Sequence, residues 1–193
     1  VSIAKQRMPN FPIYMQYGWT PKSHFRAAAI IRSMSYDNLT AHKTESEIGW
    51  GVLASATFNV MNRLQVYGQG VYGKGIGQFL NDMSLLNVDV VPNPEKEGKM
   101  QVLPMMGWFA GMQYNFSPKV FITSTYGQSR LYSHDGYPTT PSEQYRYGQY
   151  LNATLFWNIT SDLQVGAEYL RGWRTDFNLS LIHISEPTRL ALI

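Results

Sequence analysis

The stretch from Trp50 to Lys74, WGVLASATFNVMNRLQVYGQGVYGK, restricts the fold of this chain more than any other. Trp50, Val52, Ala54, Ala56, Phe58 and Val60 are apolar; between them stand Gly51, Ser55, Thr57 and Asn59, with Leu53 the exception. A period of two puts these sets on opposite faces of a strand. Met61, Asn62 and Arg63 make a short turn. Leu64, Val66, Gly68 and Gly70 then continue one face, and Gln65, Tyr67 and Gln69 the other. The product is a hairpin with a greasy side and a Gln/Tyr/Asn side. Each arm holds about 10 residues, the length with which a tilted β-strand crosses a bilayer. Strands of soluble sandwiches run nearer to about 5–6.

Composition narrows the field without closing it. The 193 residues suffice for one domain. There is no Cys, so neither a disulfide framework nor a Cys-based zinc site can form. No apolar run reaches about 18 residues, so no transmembrane helix is expected. Mean hydropathy is slightly negative at −0.25, yet aromatics make up 14% of the chain. That combination suits a transmembrane barrel, whose strands are apolar on one face only, and it also suits a soluble all-β binding domain. A net charge of +3, with no basic cluster, gives no sign of nucleic acid as a partner.

The period of two recurs along the chain. A first strand is expected over about 13–19, with Ile13, Met15, Tyr17 and Trp19 on one face. A second, over about 24–36, sets Phe25, Ala27, Ala29 and Ile31 against His24, Arg26, Ala28, Ile30 and Arg32. The opening hairpin supplies the third and fourth. A fifth, over about 105–116, sets Met106, Trp108, Ala110, Met112, Tyr114 and Phe116 against Gly107, Phe109, Gly111, Gln113 and Asn115. The sixth, over about 120–131, is apolar on both faces, which leaves its facing ambiguous. The seventh, over about 144–159, sets Leu151, Ala153, Leu155, Trp157 and Ile159 against Tyr150, Asn152, Thr154 and Asn158. The eighth, over about 163–176, sets Leu163, Val165, Ala167 and Tyr169 against Gln164, Gly166 and Glu168. On this phase Val52, Ala54, Ala56, Met112, Ala153, Leu155 and Val165 face lipid.

The connections alternate in length. Short turns fall at 20–23, 61–63, 117–119 and 160–162; long loops fall at 37–47, 75–100 and 132–142. Outer-membrane barrels have short periplasmic turns and long external loops. Trp19, Phe25, Phe58, Phe116, Phe121 and Trp157 flank the short turns, as an interfacial girdle would. The competing reading, an aromatic sandwich core, is disfavoured by strand length. The segment 75–100 exceeds ordinary loop length, which points to a functional loop, one that can fold into the lumen.

An all-β, antiparallel transmembrane barrel of porin type makes its polar face the functional one. By parity the pore-lining candidates are Arg26, Arg32, Gln65, Tyr67, Gln69, Gln113, Arg146, Tyr150, Asn152 and Glu168, with Arg130 a further candidate. Inward Arg attracts anions, and Tyr and Gln supply hydrogen bonds; equally, such residues can simply solvate a wide aqueous lumen. Signals for catalysis are weak, and no enzyme, metal or cofactor is expected. His24, His42 and His134 lack metal-ligand spacing. Ser133, His134 and Asp135 are loop neighbours, which is not triad geometry. Gly68, Gly70 and Gly73 match GxGxxG literally, but they lie inside a strand that no helical pattern follows.

Six stretches carry a resemblance: QRMPNFPIYMQYGW (6–19), HFRAAAIIRSMSYDNL (24–39), GWFAGMQYNFSPKVF (107–121), YGQSRLY (126–132), YRYGQYLNATLFWNIT (145–160) and GAEYLRGWRTDFN (166–178). Together they resemble the DcaP-like trimeric outer-membrane porins. The resemblance implies a sixteen-stranded barrel in the bacterial outer membrane, a homotrimer, and passive uptake of small anionic solutes such as dicarboxylates. About eight of those strands are expected here, over residues 1–178, as a C-terminal half lacking the last strand. The alternative is a self-contained eight-stranded barrel with a structural or adhesive role. Leu179–Arg189, LSLIHISEPTR, resembles the in-frame translation of a transposon-end sequencing adapter. Residues 179–193 are therefore expected to be a non-native tail, and His183, Glu186 and Arg189 receive no functional reading.

Overall fold

The structure, a computed structural model, describes residues 8–38, 42–138 and 142–178, together with the backbone of 4–5 and 181–192. The side chains of the tail lie outside the described residues. The strands are β1 (Ala4–Lys5), β2 (Phe11–Thr20), β3 (Ser23–Asn38), β4 (Lys43–Met61), β5 (Leu64–Lys74), β6 (Val90–Pro92), β7 (Met100–Val102), β8 (Pro104–Asn115), β9 (Val120–Leu131), β10 (Tyr145–Asn158), β11 (Gln164–Asp176) and β12 (Leu181–Leu192). Ten of them form one antiparallel sheet, in the order β3, β4, β5, β8, β9, β10, β11, β12. Both β1 and β2 pair along the free edge of β3. The small β6–β7 hairpin stands apart, inside the segment 75–103.

The eight strands expected from the period of two are all present. The chain turns tightly where the sequence offers turn residues. Thr20 pairs with Ser23 across Pro21-Lys22. Met61 pairs with Leu64 across Asn62-Arg63. Ser117 Oγ accepts the backbone N–H groups of Lys119 and Val120 at 3.2 and 3.1 Å. Residues 37–47 are not a long loop, because β3 and β4 run on through them to the pairs Asp37–Thr44 and Asn38–Lys43. A hairpin that rises past the apolar band can be polar on both faces, so the ladder continues where the hydrophobic alternation stops. The tail shows the same independence of pattern: residues 181–192 pair with β11 without any period of two.

Residues directly opposed in a ladder share a face. From Arg26 the register passes to Ser55, Gln69, Phe109, Gly127, Tyr150 and Gly172. From Ala27 it passes to Ala54, Gly70, Trp108, Gln128, Gln149 and Trp173, on the opposite face. The second face is largely apolar and lies open. Ile13 is 72% exposed and Leu155 46%, with Val52, Phe58, Met112 and Trp157 exposed beside them. All seven residues expected to face lipid lie on it. Trp50 and Phe58 on β4, and Trp108 on β8 and Phe116 just after it, are each eight residues apart, about 26 Å along a strand. That matches the height of about 25 Å of the apolar band on a membrane barrel.

Two residues belong to the other face from the one expected. Phe121 pairs with Asn115 and Phe156 and stacks on Phe156 at 4.8 Å, so it is not part of the outer girdle. Arg130 pairs with Met106 and Tyr147 and therefore points away from the polar face. On a strand with apolar residues on both sides, parity could not be set from sequence; pairing with β8 sets it.

The buried core is local. Segment 75–103 folds back over the polar face at the long-loop end, and there Ile76, Leu80, Met83, Val88 and Val91 pack with Leu103, Met105, Leu131 and Tyr145. Leu103 and Met105 are 0% exposed. Burying each such side chain stabilises the docked segment by about 1.5–3 kcal/mol. Gly75, at φ +65°, turns the chain out of β5, and its N–H bonds Leu103 O at 3.0 Å, so the two ends of the segment meet at a neck.

Candidate functional site

The polar face divides into two zones. At the long-loop end the segment 75–103 lies on the wall. Ile76 sits over Gly51, and Leu80 over Gly107. The buried guanidinium of Arg32 donates from Nη1 to Asp89 Oδ2 at 3.0 Å and to the carbonyl of Gly75, while lying over the ring of Phe79. Asp89 Oδ1 accepts the N–H of Gly77. Asp82 Oδ2 accepts hydrogen bonds from Ser129 Oγ and Tyr145 Oη. Between β3 and the segment remains a cavity of about 580 Å³, bordered by Arg32, Tyr36, Gln78, Asn87 and Asp89.

The second long loop braces the first. His134 Nδ1 lies 3.1 Å from Gln101 Oε1, and Gln101 Nε2 donates back to His134 O at 3.1 Å. Lys74 Nζ lies 3.3 Å from His134 Nε2, and Asn93 Nδ2 donates to Asp135 Oδ2 at 3.2 Å. His134 thus joins two loops and β5. Where β4 rises beyond Trp50, outside the apolar band, Tyr36 Oη donates to Glu45 Oε2 at 2.9 Å. That bond lowers the Glu45 pKa, while burial raises that of Glu47. Tyr36 Oη also accepts the N–H of Met100, which ties β7 to the wall.

At the short-turn end no segment covers the face among the described residues. Tyr67 lies across Gly111, where an added Cβ would come 2.6 Å from the ring, and its Oη pairs with Thr125 Oγ1 at 2.8 Å. Gln113 Nε2 donates to Asn115 Oδ1 at 3.0 Å. Asn152 Nδ2 donates to Glu168 Oε1 at 2.9 Å. Arg26 donates from Nε and Nη2 to Gln16 Oε1, at 3.0 and 2.7 Å, and sits over Tyr14.

The register brings nine of the ten sequence candidates onto this one face: Arg26, Arg32, Gln65, Tyr67, Gln69, Gln113, Tyr150, Asn152 and Glu168. Arg146 sits on an irregularity between Tyr145 and Tyr147, with its guanidinium over Phe177. Arg32 is on the face but beneath the segment, its charge taken up by Asp89. Sequence reasoning missed Arg174, which opposes Gly148, shares the parity of Glu168, and bonds Asp176 Oδ1 at 2.7 Å. It also missed Asp82 and Asp89, which lie in an irregular stretch without periodicity to place them.

No protein-family model matches the chain, and no curated protein sequence does. Solved structures do. The outer membrane channel DcaP of Acinetobacter baumannii superposes with a TM-score of 0.79 at 17% identity, over 99% of this chain and 52% of that one. The monoaromatic hydrocarbon channel CymD gives 0.49 at 9% identity, over 94% of this chain and 48% of that one. A FadL homologue of Pseudomonas aeruginosa gives 0.32 at 12% identity, over 94% and 54%. The chain therefore spans about half the length of DcaP, and its open antiparallel sheet has the fold of about half of that outer-membrane channel.

Proposed function

We propose that the chain is a wall of a passive outer-membrane porin, carrying its own constricting segment. The observation behind this reading is one sheet with two opposite faces: an exposed apolar face about one bilayer tall, and a polar face onto which the longest connecting segment folds. An aqueous lumen on the polar side accounts for exposed Gln, Tyr and Arg beside that segment. The alternative, a barrel of eight strands closed on itself, requires the edge strands to meet. Among the described residues β1 and β2 pair with β3, and β12 with β11. The long loops face outward and the short turns inward to the periplasm. The full-length assembly is a homotrimer in the bacterial outer membrane.

The solutes are small anions such as dicarboxylates. Arg32 is matched by Asp89 and Arg174 by Asp176, so on the polar face the attraction rests on Arg26, against Glu168, with Arg146 at the irregularity of β10 taken to add to it. Reversal potentials of the full-length pore in a salt gradient test this. An anion preference is expected, reduced in the Arg26→Gln/Arg146→Gln variant and unchanged in Arg32→Gln channels that still fold. Equal preference in parent and double variant would show these arginines to be wall solvation only.

A further inference from the structure

The apolar face is not uniform. On β4 the outward apolar run from Trp50 to Val60 has six members, whereas on β11 it has three, Val165, Ala167 and Tyr169. With Leu163, which precedes β11, they span about 20 Å, short of the usual band of about 25 Å. Beyond them stand Arg171 and Trp173. The same outward face carries Tyr126, Gln128 and Arg130 on β9, and Tyr147 and Gln149 on β10. The equivalent positions of β3, β4, β5 and β8 are uncharged below Lys74, which closes β5.

Both arginines lean the same way. The guanidinium of Arg171 lies 4.8 Å from the centre of Trp173, and that of Arg130 lies 5.0 Å from Tyr132. Each ring is two residues nearer the long-loop end. This is the posture of side chains drawn from the apolar band towards the membrane surface. Stacking on the rings holds the planar groups in place and leaves their N–H donors for a partner. Among the described residues neither has an acidic partner. No Asp or Glu lies among the outward positions from Tyr126 to Arg130, from Tyr147 to Leu151, or from Arg171 to Thr175. Counting two strand spacings and four residues, the two arginines are roughly 16 Å apart at the backbone, close enough for their side chains to meet one large head group from both sides.

We propose that this outward patch on β9–β11 binds the phosphates of a lipid head group on the long-loop side of the membrane. The proposal rests on the outer-membrane reading above. Phosphate complements two arginines without acidic neighbours and takes paired hydrogen bonds from the guanidinium fork. Tyr126, Tyr147 and Trp173 suit head-group depth, where amphipathic rings collect.

The test uses the full-length protein in nanodiscs of zwitterionic lipid, titrated with diphosphorylated lipid A or its dephosphorylated form. Binding of the phosphorylated form alone is expected, with a loss of about tenfold or more in Arg130→Gln/Arg171→Gln. Lys119→Gln, at the short-turn end, should bind as the parent does. Arg130→Lys/Arg171→Lys, which keeps the charge but not the fork, should fall between. Equal binding of both lipid A forms, or an unchanged double variant, overturns the proposal. So does a double variant that loses its oligomeric state irrespective of lipid, which would make the patch a contact between copies. Competition by free inorganic phosphate at lipid concentrations would reduce it to a simple anion site, and also overturns it. Failure to insert into any bilayer would instead sink the porin reading; a conducting pore without phosphate-dependent binding would sink this inference alone.

Discussion

The two ends of the polar face are built from the same strands, yet only one of them resembles a protein interior. At the long-loop end Leu103 and Met105 are fully buried and Arg32 is neutralised by Asp89. From mid-height towards the short-turn end Tyr150 is exposed, and Gln69 and Glu168 are half-buried on a bare wall. Neither arrangement is needed to hold the sheet, which ten strands of ladder already join. On the porin reading, a wall supported by lipid on one side can leave its other face nearly empty of packing. It concentrates core burial where a segment must be held in one place. It also shows that formal charge on the face overstates the field: each arginine counts only after its local partner is known.

The comparison breaks most sharply at Asp89. Asp89→Ala leaves the Arg32 guanidinium buried without its carboxylate and the Gly77 N–H without an acceptor. Orphaning one member of a buried pair costs about 3–5 kcal/mol, and the partial exposure of Asp89 argues for the low end. The loss should appear as undocking of the segment. Limited proteolysis is expected to speed up at Lys96 and Lys99, while the β-sheet signal in circular dichroism stays. Arg32→Leu/Asp89→Leu, which removes both charges, should recover much of the loss. If Asp89→Ala leaves proteolysis unchanged, the packed end is not held by this pair.

A second variant pair sharpens the contrast between the two faces. Ala153 and Asn152 are chain neighbours on opposite faces of β10. Ala153→Arg should cost about 2–4 kcal/mol if it lies at the midplane, measured as folding into vesicles against denaturant. Asn152→Arg, beside Glu168 on the bare wall, should cost little. Equal costs would mean that the apolar face does not meet lipid at this height.

How much of this was legible in the sequence differs by zone. The bare wall was legible because a period of two survives wherever one face is apolar and the other polar. Tyr67, Gln113 and Asn152 fell on the expected side for that reason. The packed end was not, beyond the expectation that its long segment could fold inward. Ile76, Met83 and Val88 lie in irregular chain, where no period assigns a face, and their partners Met105 and Leu131 come from β8 and β9. Arg32 shows the limit most clearly. Parity placed it on the polar face, but its partner Asp89 lies in the segment, and sequence spacing gives no hint that the two meet. On β9, where both faces carry apolar residues, even parity failed, and Arg130 and Phe121 were found on the sides opposite to expectation.

The smallest expected effect is the most discriminating test of the bare zone. Tyr67 reaches over Gly111 to Thr125 and makes one hydroxyl–hydroxyl bond. Removing such a bond costs about 0.5–1.5 kcal/mol where the partner is buried. Beside an aqueous lumen, water replaces the lost partner, so Tyr67→Phe should fall at or below the bottom of that range. Gly111→Ala acts differently, because its Cβ would meet the Tyr67 ring and Thr125 Oγ1 closer than contact distance. The ring is the free end of a side chain, so it can swing off the wall, at less than the cost of about 1–3 kcal/mol for overpacking a closed core. Single-channel conductance should then fall in Gly111→Ala, since the displaced ring occupies the lumen, while Tyr67→Phe conducts as the parent does. In the combined variant the conductance loss should match Gly111→Ala alone, because the ring and not the hydroxyl obstructs. If Gly111→Ala instead destabilises by several kcal/mol with conductance unchanged, Tyr67 is packed in a closed core and this end of the wall is not bare.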